Sequence, residues 1–340
     1  MRTRAFTLLE LLVSMTIVSI LMIVLVTITG QTSAVWKDTT GKSNQFREAR
    51  NAFESITRNL SQATLNTYYD YYAADGTSRK ASDPATFVPA KYGRQSELHF
   101  QTGPAATLLS GGVSKFPTHG LFFQAPLGFT EDTGNAGLEN LVNTWGYYLE
   151  FREDTDRPAY MPATGRYRYR LMEFMEPTEN LKVYSQPGDW LKSAAGGGSS
   201  HVIASNIICL TFLPKLPTQG PAGDPRVDPD GSRLAPAYAY DSVTPGQAAA
   251  GAGRSSLHQL PPVVEVTMVA IDEGSAVLLE QGSTPPDFGL SGLFTDSTLS
   301  SRKSDLQKLE NNLIDLKVNY RVFSTEVSLR GAKWSQDEPN

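Results

Sequence analysis

The start of the chain constrains the fold more than any other stretch. No charged residue occurs between Leu11 and Trp36, and Glu10 is the only charge between Arg4 and Lys37. A run of about 20 apolar residues can cross a bilayer as a helix, and a helix satisfies its own backbone there. Arg2 and Arg4, standing before the run, favour a cytoplasmic N-terminus. Ser33 and Ala34 offer the small residues of a signal-peptide cleavage site, but the run is far longer than a signal-peptide core. The sequence therefore predicts a membrane anchor, with all that follows as exported cargo.

Composition limits that cargo. The chain has 340 residues and a net charge of −5, and it becomes two units more negative if Arg2 and Arg4 leave. An acidic chain of this kind is a poor general binder of nucleic acid, which needs basic patches, so no nucleic-acid partner is expected. The one cysteine, Cys209, rules out an internal disulfide and lies in the apolar run Ile207-Ile208-Cys209-Leu210, where a buried hydrophobe is expected. Beyond the anchor, about 270 residues are enough to build a core without disulfides.

A second helical pattern follows Trp36. Phe46, Ala49, Phe53, Ile56, Leu60 and Ala63 recur three or four apart, the stripe of a helix packing one face. The expected arrangement is one helix from Phe6 to Asn66, on the order of 90 Å long, with residues 6–36 in the membrane and 37–66 amphipathic. Gly30 and Gly41 are expected to bend it or melt it locally. Gly41-Lys42-Ser43 is not a phosphate-binding loop, because Trp36 stands where the first glycine belongs. Tyr68, Tyr69, Tyr71 and Tyr72 are expected to cap the packing of helix and sheet, with a contact surface as the other reading.

Strands are expected at Glu97–Thr102, Gly120–Ala125, Gly146–Arg152, Arg166–Met175, Val202–Leu213, Val263–Asp272 and Leu316–Ser324, most of them built from β-branched and aromatic residues. In Arg166-Tyr167-Arg168-Tyr169-Arg170 the alternation predicts a strand with one wet or salt-bridged arginine face. Residues 214–257, rich in Pro, Gly, Ala and Asp, read as a long loop insertion. Its Asp224, Asp228 and Asp230, with Gly231, supply the hard oxygen ligands that calcium prefers. The spacing is not that of an EF-hand, so an ordinary acidic turn is the expectation. Ser304 and Gln307 form a capping box for a short helix carrying Leu306, Leu309 and Leu313, which leads into a last strand and a polar tail.

Catalysis finds little support. His99, His119, His201 and His258 show no HExxH or Cys/His ligand spacing, and there is no Gly-x-Ser-x-Gly elbow. Ser199-Ser200-His201 reads as a turn after a glycine run.

The stretch Arg4-Ala5-Phe6-Thr7-Leu8-Leu9-Glu10 resembles the cleavage and methylation site of type IV prepilins and type II secretion pseudopilins. The resemblance implies cleavage by a prepilin peptidase between Ala5 and Phe6, with residues 1–5 as leader, and methylation of the new Phe6 amine. It also implies that Glu10 pairs with the N-terminal amine of a neighbouring subunit, which offsets the cost of burying both charges. In the family the residue before the cut is usually Gly; here it is Ala5. The segment Phe46–Thr64 looks like that of J-type minor pseudopilins. Together with Leu260–Asp272 and Leu329–Trp334 it resembles more closely the Verru_Chthon cassette protein C family.

The expectation is thus an α+β, pilin-like chain: a long helix on an antiparallel β-sheet domain spanning residues 67–340, displayed from the inner membrane. Its partners would be the peptidase and other pilin-like subunits. Its role would be that of a minor pseudopilin or minor pilin in a type II secretion or type IV pilus-like fibre, and no enzyme activity or cofactor is expected. The alternative is a membrane-anchored module whose β-rich domain recognises a substrate or surface.

Overall fold

The computed structural model describes residues 8–154, 165–196, 198–219, 227–231, 233–244 and 256–333. The chain is α+β, a long N-terminal apolar helix followed by antiparallel sheets. It divides into a unit of residues 1–47 and a second of residues 48–340.

The helix α1 covers Leu8–Leu60. It runs through Gly30 and Gly41 without interruption, because an isolated glycine weakens a helix by only about 1 kcal/mol relative to alanine and removes no hydrogen bond. In the second unit the expected stripe is the buried one: Ala49, Phe53, Ile56 and Leu60 lie in the core, followed by Ala63 beyond the helix end. Phe53 packs its ring 5.7 Å from that of Phe323.

Eleven strands follow, among the described residues: β1 (Tyr68–Tyr72), β2 (Lys91–Gln95), β3 (Gln101–Pro104), β4 (His119–Pro126), β5 (Val142–Glu153), β6 (Tyr167–Glu176), β7 (Ser200–Ser205), β8 (Ile207–Lys215), β9 (Tyr240–Asp241), β10 (Val263–Ile271) and β11 (Tyr320–Ser328). The helices between them are α2 (Ala105–Leu108), α3 (Lys182–Ser185), α4 (Lys192–Ala195), α5 (Glu273–Leu278) and α6 (Leu299–Asp315). Strands β7-β6-β5-β4-β3-β9 form one sheet, β11-β10-β8 a second, and β1-β2 a separate hairpin. Every pairing is antiparallel. All nine residues of β8 are buried, and Cys209 is among them, as its apolar neighbours predicted.

Four expectations need correction. The single strand expected at Val202–Leu213 is two, β7 and β8, in different sheets. Asn206 between them adopts φ 60°, the left-handed conformation that asparagine tolerates better than most residues. The tyrosine cluster does not cap helix and sheet. It forms β1, which pairs with Lys91–Gln95, a partner run that Gly93 disguises. The arginine face of β6 is salt-bridged, one of its two expected readings, and what needs correcting is a wet face throughout: Arg166 is exposed, but Arg168 and Arg170 are both buried. Arg168 reaches Glu273 at 3.1 Å and Glu280 at 3.0 Å, and Arg170 reaches Asp154 at 2.9 Å. Finally, α6 begins at Leu299, five residues before Ser304. Its cap is Thr298, whose hydroxyl accepts from the Ser301 N–H.

Candidate functional site

The sequence places the functional chemistry in the first helix. Among the described residues one helix is long and apolar enough to cross a membrane, Leu8–Ser33, and none of its residues is buried within the molecule. Five hydroxyls of this span are already satisfied. Those of Ser14, Thr16, Ser19, Thr27 and Thr29 donate to main-chain carbonyls three or four residues back, at 2.7–2.9 Å. A span so arranged presents lipid or another helix with few unpaired donors. Glu10 lies in the first turn of α1, where the positive end of the helix dipole favours a carboxylate. Ala5 and Phe6, the expected processing pair, lie outside the described residues.

Of the acidic loop candidates, Asp228 and Asp230 make contacts that hold the loop. Asp224 lies outside the described residues. Asp228 is fully buried; its carboxylate accepts from the Arg233 main-chain N–H at 2.8 Å and faces the Arg233 guanidinium at 3.7 Å. Asp230 accepts from the Leu299 N–H at 3.1 Å, tying the loop to the start of α6. Among the described residues no three His, Cys, Asp or Glu side chains converge in a metal-binding group. Part of the stretch expected to be an insertion is core: Leu234, Tyr238 and Tyr240 are buried, and β9 completes the edge of the six-stranded sheet.

The histidines, far apart in sequence, enter polar surroundings built by the fold, with His99 and His258 close to one another. His99 Nε2 meets Asp241 Oδ1 at 2.7 Å. That carboxyl also accepts from the main-chain N–H groups of Val243 and Thr244, which makes it the centre of a turn. Burial holds His258 down to about 4, helped by the nearby Arg94 and His99 side chains. His201 pairs with Glu173 at 2.9 Å. Glu173 also accepts from Trp145 Nε1 at 2.7 Å and Tyr147 Oη at 2.8 Å, and Tyr147 Oη accepts from Asn59 of α1. Burial, followed by the Glu173 charge, pushes the Tyr147 phenol far up. No sequence spacing announces these clusters, because their members come from strands and helices tens of residues apart.

The prokaryotic N-terminal methylation motif matches residues 1–26 of the chain. That motif points to prepilin-type processing of the N-terminus. With one N-terminal apolar helix it fits a membrane-anchored protein. Comparison with curated proteins and with solved structures found no match.

Proposed function

We propose that this chain is a minor pseudopilin or minor pilin, made as a prepilin and built into a type II secretion or type IV pilus-like fibre. The observation that carries the reading is the span Leu8–Ser33, which buries nothing within its own molecule and has Glu10 in its first turn, within the matched motif. A prepilin peptidase cuts between Ala5 and Phe6 at the cytoplasmic face of the inner membrane, and Phe6 is methylated. The helix then leaves lipid for the helices of neighbouring subunits, with Glu10 facing a neighbour's N-terminal amine and the β-rich domain outside the cytoplasm. The segments Phe46–Thr64 and Leu260–Asp272 support placement beside the Verru_Chthon cassette protein C family.

The test is the N-terminal mass of the protein recovered from native membranes, together with fibre assembly of Glu10→Ala. A chain starting at N-methylated Phe6, with assembly lost in the variant, is the expected result. Retention of Met1, or cleavage beyond Ala34, would remove Glu10 from the mechanism.

One observation favours the second reading, a binding module on the same anchor. Tyr69, Tyr71 and Tyr92 form an exposed aromatic row on the β1-β2 hairpin, with ring centroids 5.6 and 5.1 Å apart, and tyrosine is enriched at contact surfaces.

A further inference from the structure

The exported domain contains a second feature that assembly does not use. At the N-terminal end of β4 a cleft of about 410 Å³ opens between strand and loop, a size ordinary for small-molecule sites. Its walls are Pro104, Val113, Phe116, Leu290, Leu293 and Phe294, and no charged side chain lines it. Burying a charged ligand there would leave the charge without a counter-ion, so the cleft suits a neutral one.

The lining also includes His119, 5% exposed. One ring nitrogen donates to the Phe294 main chain, and Nδ1 has no hydrogen-bond partner in the protein. Burial holds the ring down to about 4, so it is neutral at physiological pH and Nδ1 is an acceptor. The ring is fixed by stacking on Tyr238 at 4.6 Å. A buried acceptor without a donor costs about 1–3 kcal/mol. The backbone around it is strained as well: Thr118, Ala237, Tyr238 and Phe294 all have φ between 54° and 60°. Residues held in that region cost on the order of 1 kcal/mol or more each and gather at ligand clamps.

We propose that this cleft binds a neutral, largely apolar molecule bearing one hydroxyl or N–H donor, with the donor on His119 Nδ1 and the apolar body against Phe116, Leu293 and Phe294. The side chains of the 290–295 loop adjust to admit it.

Phenol is the probe, and anisole, of similar size but with no donor, is its control. The full chain, labelled with ¹⁵N at histidine, is placed in lipid nanodiscs and titrated with each. Phenol is expected to shift the His119 ring-nitrogen resonance saturably while leaving those of His99, His201 and His258 in place. Anisole is expected to bind about tenfold more weakly, the worth of one hydrogen bond. His119→Phe keeps a ring against Tyr238 and, with binding followed by calorimetry because the His119 resonance is gone, should reduce phenol to the level of anisole. Leu293→Trp fills the cleft and should abolish both; it keeps the test open if the His119 variant does not fold. Equal binding of phenol and anisole, no shift at His119, or a phenol shift that survives Leu293→Trp would overturn the assignment.

Discussion

His119 and His258 are kept uncharged by the fold, and this sets how the domain responds to acid. In the unfolded chain each takes up a proton near the ordinary histidine value of 6.5, whereas burial delays uptake in the folded chain to about 4. Between those values the unfolded state holds more protons, so stability falls as pH is lowered from 6.5 towards 4. The loss is up to about 3 kcal/mol per residue. His119→Phe combined with His258→Asn, the latter chosen because His258 has φ 51°, removes both titrations. The melting temperature of the double variant should fall less steeply than that of the wild type between pH 7 and 4.5. Parallel curves would show that neither histidine carries the acid response. Glu173 sets a second expectation. Glu173→Leu takes the acceptor from Trp145 and Tyr147, both buried, and should cost about 2–4 kcal/mol in a denaturant titration. Tyr147→Phe, which loses only the phenol oxygen, should cost closer to 1 kcal/mol.

The helix α6 separates local signal from tertiary outcome. The capping box at Ser304 and Gln307 has the right residues, yet Ser304 is exposed and inside the helix. Thr298 is the cap because Asp296, Ser301 and Asp230 converge on its turn, and Asp230 is distant in sequence. Thr298→Ala should therefore lower stability by about 1 kcal/mol, and Ser304→Ala should leave it nearly unchanged; denaturant midpoints of the two variants decide this. The α1 stripe and the strands β4, β5, β6 and β10 were legible in the sequence because burial on one or both faces imposes a period or an unbroken apolar run. The break at Asn206 was hidden, since Ala204 and Ile207 on either side of it are equally buried. The β1-β2 hairpin was hidden too, because its second strand carries Lys91, Gly93 and Arg94, a composition that suggests a loop. Of the candidate site, the anchor and Glu10 could be read directly, as a 26-residue apolar span needs no partner to be recognised. The His119 cleft could not, because its walls come from segments before β4, after β8 and before α6.

The two units answer to different surroundings. Leu8–Ser33 places no side chain in the interior and needs lipid or other helices, since a contiguous apolar surface of that size does not stay free in water. From Glu48 onward the helix belongs to the domain core through Ala49, Phe53, Ile56 and Leu60. A fragment starting at Glu48 should be soluble without detergent and melt in one cooperative transition. One starting at Asn66 loses those four side chains and should aggregate or melt far lower; sedimentation and calorimetry on the pair decide the matter.

The step at Asn206 has a mechanical consequence. Strand β7 lies at the edge of the six-stranded sheet and β8 at the edge of the three-stranded one, joined by a single residue whose amide donates to Glu273 at 2.6 Å. A tension that slides one sheet over the other is thus met by the peptide chain itself at this seam, not by side-chain packing alone. A domain under such tension would there resist shear with a covalent tie.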